Sequence, residues 1–202
     1  IEECVDLVVI GPEGYLVAGL VAELYKAGIC AVGPSRSAAR LEGSKIFTKE
    51  LCRRHHIPTA DFRVVDNQEG GYQAIEDGYT VIKLDGPLAG KGVLVLDQDG
   101  NARDAVYNIF AHGVFGHEHV GYTELGDATR RFVFEKRLEN GLECSVTVLC
   151  DGEGYTMLPI AYDCKPVRPG GPNTGGMGGY APVRYVDEGL RVRIEREIVI
   201  PT

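Results

Sequence analysis

Short continuous apolar runs alternate along this chain with stretches in which apolar residues return every three or four positions. Residues 6–10, DLVVI, form such a run and are closed by Gly11-Pro12, which predicts a strand buried on both faces, as in a parallel sheet. Leu16, Val17, Leu20, Val21 and Leu24 then repeat at helical spacing, with Gly28 where a helix would stop. Residues 29–32 read as a second strand, ended by Gly33-Pro34, and complete a β-α-β unit. One such unit cannot close a core alone, so further strands of a longer protein are expected to precede it. Residues 35–56 carry a helical pattern in which Ser44 is the expected N-cap, Phe47 and Leu51 share a face, and Pro58 follows the end.

The pattern then shortens. Residues 62–65 read as a strand, 69–77 as a helix, 80–84 (TVIKL) and 93–96 (VLVL) as strands, and 103–110 as a helix. Residues 113–129 are polar and glycine-containing, which predicts a loop or flap. Further strands are expected at 132–135, 144–150 and 155–160, the last two joined as a hairpin through Asp151-Gly152, and a helix at 188–198. The organisation that follows is a partial N-terminal α/β domain over 1–36, a helical connector over 37–60, a small lid-like subdomain over 61–134 and the first part of a larger subdomain over 135–202.

Two glycine clusters interrupt this pattern, and together they hold nine of the chain's 27 glycines. The first, Asp85-Gly86-Pro87-Leu88-Ala89-Gly90-Lys91-Gly92, joins two strands, so it predicts a hairpin and not a strand-to-helix turn. It departs from the Walker A motif, which needs four residues before Gly-Lys and then Ser or Thr. It also offers no helix N-terminus in the Rossmann manner. What remains is a glycine hairpin whose N–H groups and Lys91 could close over a polyphosphate, or an ordinary hairpin with a solvated lysine. Lys83 adds weight to the first reading. It interrupts an apolar strand, where a lysine must meet an anion, snorkel, or guard an exposed edge. The second cluster runs from Pro169 to Tyr180 and combines free N–H donors with Asn173 and Thr174, suited to an anionic or hydroxyl-rich substrate. Pro172, Met177 and Tyr180 set it apart from a flexible linker.

Composition narrows the partners. Lys+Arg 21 against Asp+Glu 29 leaves a net charge of −8, which argues against nucleic acid or an anionic membrane as the main partner. No apolar run approaches the roughly 20 residues of a membrane span, and a cytoplasmic location is expected. The six cysteines contain no C-x-x-C pair, so neither a disulfide framework nor a zinc site is expected. His117-Glu118-His119 with His112 lacks a further ligand at fixed spacing and reads as a solvated loop. His55-His56 reads as helix-end complementation of the dipole.

VVIGPE (8–13), LEGSK (41–45), VIKLDGPLAGKGV (81–93), the Asp163-x-Lys165 step and GPNTGGMGGY (171–180) occur in the order found in the phosphoribosylamine–glycine ligase family, also called glycinamide ribonucleotide synthetases. The chain resembles that family nearly end to end. The resemblance implies an incomplete ATP-grasp fold, mixed α/β and α+β, preceded by part of a parallel-sheet domain. It implies ATP-dependent joining of glycine to 5-phosphoribosylamine through a glycyl phosphate, in purine biosynthesis, with Mg²⁺ or Mn²⁺ as the metal.

By the same resemblance, Lys45 and Lys83 are the ATP-phosphate lysines, and Gly90, Lys91, Gly92 and Val93 form the lid over the triphosphate. Glu135, Lys136, Arg137 and Leu138 are the linker that meets adenine through its backbone, and Glu143 is the ribose carboxylate. Asp163 and Lys165 are the catalytic pair. Pro12, Glu13, Asn173, Thr174, Gly175, Gly176, Met177 and Gly178 hold the substrates. The family's magnesium ligands are expected beyond Thr202, so no metal ligand set is expected within this chain, nor turnover from it alone. Lys136 and Arg137 stand where the family carries an acid and an aromatic, and Pro166 where it carries an arginine. Those departures keep open a non-catalytic nucleotide-binding module and an ATP-grasp ligase for another carboxylate. A dinucleotide-dependent oxidoreductase is disfavoured, because no G-x-G-x-x-G follows Ile10.

Overall fold

The computed structural model describes residues 5–86, 92–96, 101–115, 118–119, 131–165, 167–168, 174 and 176–202. The chain divides into two compact units, one of Ile1–Leu51 with Thr59–Arg137 and one of Cys52–Pro58 with Leu138–Thr202.

The first unit opens with β1 (Leu7–Val9), α1 (Glu13–Ala18), α2 (Leu20–Lys26) and β2 (Cys30–Val32), with β1 and β2 parallel and Val8 opposite Ala31. The expected single helix is thus two, because Gly19 adopts φ +90 and breaks the turn between them. The expectation that the first strand is buried on both faces is not met: Leu7 and Val9 are 52% and 70% exposed. Val8 between them is half-buried opposite the buried Ala31, so among the described residues only one face of the β1–β2 pair is covered. Helices α3 (Arg40–Gly43) and α4 (Lys45–Arg54) follow, separated at Ser44, whose Oγ accepts from Phe47 N at 3.1 Å as the sequence pattern predicts.

Next come β3 (Phe62–Val65), α5 (Gln68–Glu76), β4 (Val81–Leu84), β5 (Val93–Val95), α6 (Ala102–Tyr107) continuing as a π-helical turn over Asn108–His112, β6 (Val114–Phe115), β7 (Glu118–His119) and β8 (Phe132–Glu135). The 80–84 and 93–96 runs pair as the expected antiparallel hairpin. Part of the expected 113–129 loop is instead the β6–β7 pair; residues 116, 117 and 120–129 lie outside the described residues. The four-stranded sheet has the order β3-β8-β4-β5, antiparallel throughout. Its last strand in sequence therefore enters between two strands that lie far earlier in the chain.

All four residues of β8 are buried, so alternation assigns them to two cores. Phe132 and Phe134 join Val65, Ile82, Leu84, Val106 and Ile109 under α5 and α6. Val133 packs with Phe62 and with Ile46 of α4 on the other face. Each fully buried Phe or Ile contributes about 2 kcal/mol by removal of apolar surface from water. The fourth residue, Glu135, falls on the α4 side of the sheet.

The second unit holds the antiparallel hairpin of β9 (Val148–Cys150) and β10 (Tyr155–Met157), then β11 (Tyr162–Asp163) paired with β12 (Gly179–Tyr180), then α7 (Glu188–Ile194) running on as a π-helical turn through Val199. No helix among the described residues is long and apolar enough to cross a membrane.

Candidate functional site

Lysines gather on the α4 face of the first unit's sheet. Lys83 stands opposite Val133 of β8, while Val81, two residues earlier on the same face, stands opposite Glu135. Lys83 and Glu135 are therefore diagonal cross-strand neighbours, close enough for long side chains to meet. They do meet: Lys83 Nζ donates to Glu135 Oε2 at 3.0 Å. Lys45 and Lys49 lie four residues apart on α4, hence on one helix face. Lys49 Nζ donates to Thr59 Oγ1 at 2.6 Å and to the Ala60 carbonyl at 3.3 Å, and lies 3.2 Å from Glu135 Oε1.

Glu135 is only 5% exposed, a buried carboxylate between two ammonium groups. Its Oε1 is 3.0 Å from Lys83 Nζ and 3.2 Å from Lys49 Nζ, yet neither aligns a hydrogen bond on that atom. Coulomb attraction from both sides balances the burial of this charge. The sequence reading gave Glu135 a backbone role in a linker and did not single out Lys49. Its only signal was a second lysine at i+4 from Lys45.

The base of the glycine loop is fixed to the start of α4. Asp85, just past β4, accepts from Ser44 Oγ at 2.9 Å and from Ile46 N at 3.1 Å, and so caps the helix from a distant strand. A carboxylate at that position complements the helix dipole. Lys45 Nζ donates to the Gly86 carbonyl at 2.7 Å, and Gly86 has φ +118, a conformation open to glycine and unfavourable for other residues. Burial holds the Lys45 ammonium below the ordinary lysine value of 10.5; Glu42 and Asp85 oppose the shift and the nearby charge of Lys83 adds to it. On the far side of the loop, Leu84 N donates to the Gly92 carbonyl at 3.0 Å and Val93 pairs with Lys83. Gly90 and Lys91 lie outside the described residues.

After Glu135 the chain leaves the sheet. Lys136 N still donates to the Asp61 carbonyl at 2.9 Å, and its ammonium sits 3.4 Å from Asp61 Oδ2 and 5.2 Å from the centre of the Tyr79 ring. That accounts for a lysine at this position: its side chain belongs to a surface cluster with Asp61, Tyr79 and Arg63, whose guanidinium carbon lies 4.7 Å from the same ring centre. The Tyr79 hydroxyl, donating at 2.9 Å, holds the Asp61 carboxyl below the usual carboxylate range, with Lys136 assisting. Arg137 and Leu138 follow as exposed residues. Pro12 and Glu13 form the exposed-to-half-buried start of α1, with Glu13 in its first turn.

In the second unit, Asp163 sits on β11 opposite Gly179, and Ser145 Oγ donates to its Oδ2 at 2.9 Å. A Cβ at Gly179 would lie 3.0 Å from the Tyr162 carbonyl oxygen, so this close strand approach favours glycine. The described residues between β11 and β12 are tied to one another by hydrogen bonds. Cys164 N donates to the Gly178 carbonyl and Met177 N to the Cys164 carbonyl, both at 2.7 Å, while Thr174 donates from N and Oγ1 to the Lys165 carbonyl at 2.9 and 2.7 Å. Gly176 N donates to Thr174 Oγ1 at 3.1 Å. The Thr174 hydroxyl thus links Gly176 to Lys165, and the backbone bonds of Cys164 set Met177 and Gly178 beside β11. Asn173 and Gly175 lie outside the described residues. The Glu143 carbonyl accepts from the Tyr185 hydroxyl. Among the described residues no group of three His, Cys, Asp or Glu side chains is placed to hold a metal ion.

The family described as phosphoribosylglycinamide synthetase, ATP-grasp (A) domain, matches residues 43–202, and the N domain of the same synthetase matches residues 1–42. The chain belongs to the phosphoribosylglycinamide synthetase family. Phosphoribosylamine–glycine ligase of Rhodopirellula baltica is 42% identical over 210 residues, a match covering 99% of this chain and 46% of that protein. The chloroplastic ligase of Arabidopsis thaliana is 43% identical over 202 residues, covering 98% and 36%. The crystal structure of phosphoribosylamine–glycine ligase from Thermotoga maritima matches with a TM-score of 0.69 at 29% identity, over 96% of this chain and 46% of that one. Biotin carboxylase from Campylobacter jejuni, at 20% identity and a TM-score of 0.71 over 97% of this chain and 42% of its own, shares the fold alone. This synthetase chain therefore has the α/β ATP-grasp architecture expected from its motifs. It spans less than half the length of these relatives.

Proposed function

We propose that this chain supplies nucleotide- and substrate-binding parts of an ATP-dependent ligase that joins glycine to 5-phosphoribosylamine in purine biosynthesis. The γ-phosphoryl group of ATP passes to the glycine carboxylate with release of ADP. The amine of phosphoribosylamine then attacks the acyl carbon, loses a proton and expels phosphate, leaving glycinamide ribonucleotide. The observation that carries the reading is the family match over residues 43–202 together with Lys45, whose ammonium donates to the Gly86 carbonyl at the base of the glycine loop, and Lys83 on the strand that leads into that loop. Two cations on rigid elements suit a triphosphate tail, whose developing charge they offset during transfer.

In this reading Gly90, Lys91, Gly92 and Val93 cover the tail. Glu135 to Leu138 offer backbone groups to adenine; the Lys136 N–H is spent on Asp61, which leaves its carbonyl for a ligand. Glu143 takes the ribose. Asp163, Lys165 and the 173–178 loop, with Pro12 and Glu13, serve the carboxylate and amine substrates. Magnesium accompanies ATP in the family; the described residues contain no ligand set for it, and no step is drawn through it. The location proposed is the cytoplasm.

The full-length protein is expected to release phosphate from ATP only when glycine and 5-phosphoribosylamine are both present. Equal release with another carboxylate would move it to a different ATP-grasp ligase. ATP binding with neither substrate promoting turnover would leave a nucleotide-binding module.

A second test uses pH. ATP attraction through Lys45 is present while its ammonium is charged and is lost as pH rises through its lowered pKa. The alkaline fall in ATP affinity should therefore begin below the range of an exposed lysine near 10.5. Removing the like charge in Lys83→Met should move the Lys45 titration upward, which the chemical shift of its labelled side chain would report. A downward movement would contradict the arrangement.

A further inference from the structure

We propose that Lys49 is a positioning residue for the nucleotide's phosphate tail, acting through Glu135 on Lys83. The inference rests on the proposed ATP site. The two lysines that share Glu135 are unequal. Lys49 is 12% exposed at its side chain and directs its ammonium at three acceptors: Thr59 Oγ1 at 2.6 Å, the Ala60 carbonyl at 3.3 Å and Glu135 Oε1 at 3.2 Å. Lys49 spends two of its three N–H donors on Thr59 and Ala60 and sets its charge against Glu135, so its ammonium faces inward and is not directed at a ligand. Lys83 is 28% exposed and, among the described residues, spends its contacts on the one carboxylate, which leaves donor capacity toward solvent.

The charge count explains why both are needed. Glu135 with Lys83 alone is a neutral pair, and a neutral pair has little pull on a polyphosphate. Lys49 raises the group to a net single positive charge. Its own ammonium is locked inward, so the excess is expressed at Lys83. Lys49 also draws Oε1 toward α4, leaving Oε2 as the atom that takes the Lys83 hydrogen bond. Lys49 thus sets both the charge and the aim of a residue it does not itself touch. Because Lys49 sits one helical turn beyond Lys45, the same helix that presents one phosphate lysine tunes the other.

The experiment is calorimetric titration of the protein with ATP, ADP and AMP, before and after Lys49→Gln, which retains hydrogen bonding to Thr59 and Ala60 and removes the charge. ATP is expected to bind about tenfold more weakly, ADP less so, and AMP within about twofold of the unmodified protein. Lys49→Arg should restore ATP affinity to within about threefold. A purely structural role would weaken all three nucleotides alike and lower the melting temperature with them. Equal losses across the series, or ATP affinity unchanged in Lys49→Gln, would overturn the inference while leaving the ATP site standing. Failure of the unmodified protein to bind ATP would instead remove the site, and this inference with it. Should Lys49→Gln fail to fold, Lys49→Met, which leaves Glu135 paired one-to-one with Lys83, takes the same test.

Discussion

Lys83→Met is expected to weaken ATP binding about a hundredfold, with AMP binding little changed. A charge-assisted hydrogen bond to a phosphate oxygen contributes about 1.5–3 kcal/mol, and each 1.4 kcal/mol is a factor of ten in affinity. The upper end applies because Lys83 stands on a sheet strand, flanked by Val93 on one side and Val133 on the other, so little ordering entropy remains to be lost on binding. The same substitution should leave the fold intact. Glu135 keeps Lys49 at 3.2 Å, so its buried charge is still matched one-to-one, and the methionine replaces the lysine stem along Val81 and Val133. Titration calorimetry with ATP and AMP, beside a thermal melt, checks both halves. Unchanged ATP affinity in a folded variant would remove Lys83 from the nucleotide site. A melting temperature lowered by more than about 6 °C would instead mark it as a structural residue.

What the sequence made legible was local. Lys83 stood out because a lysine inside VIKL contradicts its apolar neighbours, and the contradiction turned out to mark a paired charge. Ser44 was readable as an N-cap because its oxygen serves an amide three residues on. The hairpin of β4 and β5 followed from two apolar runs around a glycine turn. The parts that escaped reading are products of pairing over long separations. Nothing in FVFE says that β8 enters between β3 and β4, yet that insertion brings Glu135 within reach of a lysine 52 positions away. Lys49 lies in KIFTKELCRR and had little to mark it apart from its neighbours; only the placement of α4 over β8 and β3 buries it. Asp85 read as the first residue of a turn, and its capping of α4 is likewise a contact across 39 positions. The β1 run misled in the opposite direction. Its composition predicts two covered faces, and burial depends on neighbours that a single run cannot specify.

Glu135→Met should be the most damaging single substitution in this cluster for stability, at about 3–5 kcal/mol. The carboxylate is buried among Phe62, Val133 and the two lysine stems, and a methionine of similar length fills its volume, so the loss is electrostatic and not a cavity. Without it Lys83 can swing toward solvent, being the more exposed of the pair. Lys49 cannot: Thr59 Oγ1 and the Ala60 carbonyl accept two of its hydrogen bonds, but neither carries the negative charge that offsets burial of the ammonium. The cost therefore resides in Lys49, and a second substitution should reveal it. In Glu135→Met/Lys49→Met no charge remains buried, and most of the lost stability should return, as when a buried ionic group gives way to apolar side chains. ATP affinity should not return with it, because Lys83 no longer has a fixed partner to aim it. Urea unfolding of the single and double variants, followed through amide exchange at Ile82 and Val133 in the first unit's sheet, measures the first effect, and ATP titration measures the second. If the double variant is less stable than the single, the burden lies in lost packing and the electrostatic account of this triad is wrong. If ATP affinity recovers together with stability, Glu135 serves the fold alone, and the aim of Lys83 is set by the strand that carries it.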